Sequence, residues 1–297
     1  VIVTLIELLA VKLSPVEPMV PHCSVWSVRH CTLCALAWVR YDSAMRSWAQ
    51  KQRLLFIVVP LLVFLLLAGI FSLISRNRSD CLNGRQDGDE RGADCGGSCR
   101  LFCPGTATEP LIQFVRAVPV GGSEWGAVAL VENRNGNAGA ARAPYVFKLY
   151  DAENLLIYDR RGKAYIPPRK VFAIFEGDMQ TGSRIPTRAT FAFTEPPRFE
   201  RMDEEPSLQI RNKRFARADG VSRLEAVFQN PTPVSFGRVE LTALLFDATG
   251  NVTAASGSVV APLAARASAP LSFTWPQEFS TPSRTEIFYT LPLRAAP

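Results

Sequence analysis

Histidine is nearly missing from this 297-residue chain: there are two, His22 and His30. Everything after residue 30 therefore lacks the side chain most used for general acid–base work and metal ligation near neutral pH. Cysteine stops at Cys103. No GxSxG, HExxH, Walker loop or strand-borne GxGxxG occurs, which leaves hydrolase, metalloprotease and nucleotide chemistry without a motif. Adjacent acids such as Asp203 and Glu204 do not supply the facing carboxyl pair that glycoside hydrolysis requires. No enzymatic activity and no cofactor are expected. A long Lys/Arg run is absent too. The net charge of +6 divides into six basic and three acidic groups before Leu54 and 27 and 24 from there on. Neither part is basic enough for a phosphate-binding surface, so no nucleic-acid partner is expected.

What the chain does have begins with a long apolar run. Residues 54–74, LLFIVVPLLVFLLLAGIFSLI, hold no charge, and 21 residues at 1.5 Å each cover a hydrocarbon core of about 30 Å. The run is apolar on every face, unlike an ordinary core helix, and it is longer than the apolar part of a cleaved signal peptide. Arg76 and Arg78 follow directly. An uncleaved single-pass anchor in membrane lipid is expected, with residues 1–53 as a cytoplasmic tail. Within that tail, Met45 opens a short basic stretch, MRSWAQKQR, so residues 1–44 read as a misassigned or truncated start. Cys31 and Cys34 supply half of a tetrahedral zinc site. The other half would need a distant second pair, and Cys23 beside His22, with His30, is a poor substitute; no metal is expected there.

Residues 80–104 read DCLNGRQDGDERGADCGGSCRLFCP. The segment is a string of turn formers with almost no apolar residue, so Cys81, Cys95, Cys99 and Cys103 must brace it as two disulfides of undetermined pairing. Disulfides belong to an oxidising space, which puts this side of the span outside the cytoplasm. Asp87, Asp89, Glu90 and Asp94 are weak calcium candidates: carboxylates alternating with glycine suit a hard cation, but the EF-hand order is absent and a solvated acidic turn explains them more simply. The segment resembles a cysteine motif of bacterial surface proteins, C-x-N-G-x-x-D-G-D-E-x-x-x-D-C-G-G-x-C-x-x-x-C. That resemblance implies extracytoplasmic placement.

Beyond residue 107, short alternating or apolar runs separated by Pro, Gly and Asn predict an all-β region. Strands are expected at 112–117, 126–132, 145–151, 171–176 and 190–194, then at 208–214, 223–229, 240–246, 256–260 and 271–275. The order repeats. Asn133 answers to Asn230 and Tyr150-Asp151 to Phe246-Asp247, while Phe193-Thr194 is matched to Phe273-Thr274 by shortening a loop of the second copy. In both copies an apolar strand ends in an aromatic-Asp pair and a turn, FKLYDAENLLI and TALLFDATGNVT, where Asp caps a turn whose Asn or Gly tolerates left-handed backbone. Phe147, Leu149, Tyr150 and Asp151 here resemble the FxLYD family of immunoglobulin-like domains, and Phe246 and Asp247 keep a degraded form of the motif. The resemblance implies two tandem immunoglobulin-like β-sandwich domains, at 107–200 and 207–295, and carries no catalytic residues.

Phe147, Leu149, Leu244 and Phe246 are expected to feed the two cores, with Lys148 in solvent and Tyr150 needing cover at its strand's end. The linker around Pro196–Pro206 reads as a solvated connector. The basic cluster Arg211, Lys213, Arg214 and Arg217 reads as an exposed strand face, or as a partner for the linker's acids. The expectation for the whole is a membrane-anchored extracytoplasmic binding or structural protein with a protein or cell-wall partner of unknown identity. The alternative is an accessory subunit of a secretion or pilus assembly.

Overall fold

The computed structural model describes residues 31–76 and 79–291. His22, Cys23 and His30 lie outside them. The chain divides into two units, residues 1–73 and 74–297, and each is taken by itself. In the first, helix α1 runs Cys31–Arg76 without a break at Met45. Its stretch Lys51–Ile74 is long and apolar enough to cross a membrane, and none of it is buried within the protein. Pro60 sits inside the helix.

The second unit is built almost wholly of strands, and their hydrophobic patterns set the layer each one occupies. β2 (Glu124–Asn133) and β10 (Val239–Phe246) are apolar at nearly every position and buried on both faces. β3 (Ala138–Tyr150) and β9 (Val221–Gln229) alternate, with one face buried and one open. A strand covered on both sides reads as a continuous apolar run, and a strand at the surface alternates.

β2 is the middle of a sheet with β1 (Leu111–Gly121) and β5 (Lys170–Gln180), in the order β1-β2-β5. β3 is the middle of β4-β3-β6, flanked by β4 (Leu156–Ile166) and β6 (Arg188–Phe193), with the short β7 (Glu200–Arg201) also pairing with β3. The C-terminal half repeats this wiring. β8 (Gln209–Ala218), β9 and β12 (Ser268–Trp275) form β12-β9-β8, while β11 (Val252–Val260), β10 and β13 (Arg284–Thr290) form β11-β10-β13. Every pairing is antiparallel.

Three buried clusters bind the four sheets into a stack. Phe147 and Leu149 of β3 meet Ala127, Ala129 and Val131 of β2 in the first. Leu241 and Leu245 of β10 meet Leu224, Phe228, Phe273 and Trp275 in the second. The third joins the halves: Val118 of β1 and Val128 of β2 pack on Leu244, Phe246, Val252 and Ala255. Leu244 and Phe246 therefore do not feed the core of their own half. The residues in that register are Ala243 and Leu245, and the opposite face of β10 is apolar because the first half covers it.

The third correspondence of the repeat also needs correction. β4 in one half and β13 in the other carry no alternating signature, and without them the end of β6 falls against the end of β12. By wiring, β6 corresponds to β13. Arg188 of β6 lies opposite Tyr150 and Arg284 of β13 opposite Phe246. The guanidinium carbons stand 4.2 Å and 4.1 Å over those two rings. Arg188 and Arg284 have the same separation in sequence as Tyr150 and Phe246, so no shortened loop is needed. Arg188 also supplies the cover that Tyr150 requires, as a cation over an aromatic face.

Candidate functional site

Four places hold the residues that the sequence singles out. In the neck the disulfides are Cys81–Cys99 and Cys95–Cys103. The four acids between them are each engaged by donors of the neck itself. Asp87 accepts from the Asp80 N–H at 2.8 Å and from the Asn83 amide at 2.6 Å. Asp94, in left-handed backbone, accepts from the Gly84 N–H at 2.9 Å. Glu90 is 6% exposed and accepts from the N–H groups of Asp87 and Asp94. Asp89 accepts from the hydroxyls of Ser79 and Ser98, which hold its carboxyl down at about 2. Among the described residues, the cluster of potential metal-ligand atoms is Cys81, Glu90 and Cys99, and both of its sulfurs are already bonded to each other. Each of the four acids is thus hydrogen-bonded within the neck itself.

The neck is sewn to the β region. Phe102 N–H donates to Phe199 O at 2.9 Å, Arg201 N–H donates to Arg100 O at 2.7 Å, and Arg100 pairs with Glu200 at 3.0 Å. Phe102 packs on the first core.

The two motif turns superpose in chemistry. Asp151 Oδ1 accepts from the Leu155 N–H and Asp247 Oδ1 from the Asn251 N–H, both at 2.8 Å. Asn154 and Gly250 take the left-handed position in each turn. Burial works against the Asp151 charge, but the Leu155 N–H and the Arg184 guanidinium, 2.6 Å away, hold its pKa below the usual carboxylate range. The Thr249 hydroxyl and the Asn251 N–H do the same for Asp247. A second matched pair explains the repeated Asn. Asn133 donates to Ala138 O and Pro167 O, and Asn230 donates to Val234 O and Ala264 O, at 2.7 and 2.8 Å in each case. Both side chains are buried, and each donates to two backbone carbonyls.

The linker is not a solvated connector. Phe199, Met202 and Leu208 are buried, and three of its acids pair with the first half and the neck: Glu200 with Arg100, Glu204 with Arg169 and Glu205 with Lys170, while Asp203 stays exposed. The Glu205 side chain is 2% exposed and also accepts from the Leu291 N–H at 2.8 Å. Lys170 Nζ sits 3.4 Å from the centre of the Tyr289 ring, and the Tyr289 hydroxyl accepts from the Leu208 N–H and donates to Pro206 O. Burial pulls the Lys170 pKa down, outweighing Glu205. Lys170 from one half, Tyr289 and Leu291 from the other, and Glu205 between them form a polar latch. The sequence gives no warning of it, because Glu205 stands 35 residues from Lys170 and 86 from Leu291.

The basic cluster takes no part in this latch. Arg211, Lys213 and Arg214 lie exposed on edge strand β8 with Arg217. Lys213 donates to Thr285 O at 2.7 Å and Arg211 to Gln209. Charges on a sheet edge discourage further strand pairing.

Beside the latch a cleft of about 420 Å³ opens between the halves, with Tyr145, Lys163 and Tyr165 on one wall and Glu240, Ser258 and Tyr289 on the other. The Tyr145 hydroxyl donates to Glu176 at 2.5 Å, and burial, followed by that carboxylate, pushes its pKa up.

No protein-family model matches the chain, and no curated protein matches it. Among solved structures, the crystal structure of red sea bream transglutaminase is similar over 62% of this chain, with 13% identity and a TM-score of 0.22. The chain spans 29% of that protein's length. A likeness of this strength carries neither fold nor activity.

Proposed function

We propose that the chain is a single-pass membrane-anchored binding or structural protein whose residues 76–297 lie outside the cytoplasm. They display two immunoglobulin-like β-sandwich domains of the FxLYD type on a disulfide-braced neck. The observation that carries this reading is the succession, within one short stretch of chain, of a 24-residue apolar helical span and two disulfides. A helix of that length matches a bilayer, and bridged cysteines persist in oxidising compartments. The FxLYD assignment is supported by the shared wiring of the halves and by the matched Asp151 and Asp247 turns. The absence of catalytic motifs, and the engagement of the motif acids in turns, favour binding over catalysis.

Protease shaving of intact cells or spheroplasts tests the topology. Cleavage of residues 107–291 without permeabilisation is the expected result. Protection that is lost only on permeabilisation overturns the reading.

A further inference from the structure

The two disulfides of the neck are matched in cover and unlike in charge. Each joins a buried cysteine to a half-buried one: Cys99 is 2% exposed and Cys95 6%, while their partners Cys81 and Cys103 are half-buried. Access therefore does not separate the bridges. A carboxylate does. Glu90 is itself buried, its Oε2 accepts from the N–H groups of Asp87 and Asp94, and its Oε1 stands 3.1 Å from Cys99 Sγ. Among the described residues, no carboxylate oxygen comes within 4.8 Å of both Cys95 Sγ and Cys103 Sγ. Bare backbone lies against that bridge instead: a methyl group added at Gly92 or at Gly96 would stand 3.3 Å from Cys103 Sγ.

Thiol–disulfide exchange places negative charge on the sulfur that leaves, and a poorly stabilised thiolate leaves slowly. Attack on Cys81, the more open end of its bridge, expels Cys99 as a thiolate against the Glu90 carboxylate, in a buried place where like charges are costly. Attack on Cys103 expels Cys95 without such a neighbour.

We propose that Cys95–Cys103 is a thiol-exchange site that takes a low-molecular-weight thiol onto Cys103, while Glu90 keeps Cys81–Cys99 closed. The incoming thiolate bonds to Cys103 Sγ, the bond between the two sulfurs breaks, and Cys95 leaves with the electron pair and takes a proton from water. The incoming sulfur is oxidised into the mixed disulfide, and Cys95 is reduced. The site lies at the joint between the neck and the β region: Gly96 N–H donates to Leu101 O at 2.8 Å, and Phe102 is bonded to Phe199 O and packs on the first core. Exchange loosens this joint and leaves the Cys81–Cys99 end of the neck braced. It is a property of the purified chain and does not depend on the membrane topology.

The experiment exposes the full chain in detergent micelles to glutathione, traps free thiols with N-ethylmaleimide and reads the four cysteines by peptide mass spectrometry. Glutathione on Cys103 with maleimide on Cys95 is expected about tenfold or more faster than any label on Cys81 or Cys99. Opening of Cys81–Cys99 first, equal opening of both bridges, or glutathione on Cys95 overturns the proposal. Glu90→Gln should speed the opening of Cys81–Cys99 about tenfold and leave that of Cys95–Cys103 within about twofold; an unchanged Cys81–Cys99 rate removes Glu90 from the account. If the substitution unfolds the neck and opens both bridges alike, cysteamine on the parent chain decides. Its ammonium group offsets the carboxylate, so the preference for Cys95–Cys103 should narrow about threefold or more relative to glutathione, and an equal preference with both reagents overturns the proposal.

Discussion

The segment Phe147–Asp151 and its counterpart Ala243–Asp247 have the same backbone role and the same Asp-capped turn, yet they use their second faces in opposite ways. In the first, Lys148 alternates out to a partly open surface between buried Phe147 and Leu149. In the second, the equivalent position is Leu244, fully buried against Val118 and Val128 of the other half. One strand closes an outer layer, and the other is the middle of an inner one. The difference at 148 and 244 follows from packing, since a polar residue at 244 would be trapped between sheets, while Ala243 shares its core with Trp275 of β12.

Several measurements sharpen the contrast. Glu205→Gln breaks the latch by leaving Lys170 buried without its counter-charge, and removing one partner of a buried pair costs about 3 to 5 kcal/mol. Chemical unfolding of the purified chain should show that loss; a change below 1 kcal/mol would place the pair in effectively open solvent. Leu149→Ala and Leu245→Ala occupy the same register in the two halves and are both fully buried. Each should cost about 2 to 5 kcal/mol, and a marked inequality would show that the halves do not share one core plan.

The smallest effect is in acid. Asp89 titrates at about 2 in the folded chain against 3.8 unperturbed, and Asp151 and Asp247 are lowered as well. A depressed carboxylate adds stability above its unfolded value and loses it as pH falls through the folded one. The thermal midpoint should therefore drop as pH is taken from about 4 towards 2. In Asp89→Asn part of that dependence should vanish.

Much of this was legible. The apolar span, most strands, the motif turns and the paired Asn133 and Asn230 all follow from local pattern, because each depends on residues close in sequence. β4 escaped because LIYDRRGKAYI places charges along a sheet edge, where no alternation survives, and β13 because RTEIFYT is short and follows a Pro/Ser-rich loop. Leaving out a different strand from each half shifted the tail of the alignment. The latch and the cleft escaped for another reason: Lys170, Glu205, Tyr165 and Tyr289 meet only through stacking of sheets, and periodicity reports which face of a strand is buried but not by what. The continuous apolar runs of β2 and β10 carried that information in outline, since a strand buried on both faces needs a cover on each.

The central claim is that the two halves pack face to face as one body, and the most direct test is a reciprocal exchange at the matched positions. Equilibrium unfolding should be measured for Leu244→Lys and Lys148→Leu alongside the parent chain. The account predicts a loss of about 4 kcal/mol or more for Leu244→Lys, which puts an unpaired charge between sheets, and a change within about 0.5 kcal/mol for Lys148→Leu at the partly open surface. Similar small effects at both positions would contradict it, because Leu244 would then face solvent and the halves would be separate domains on a string.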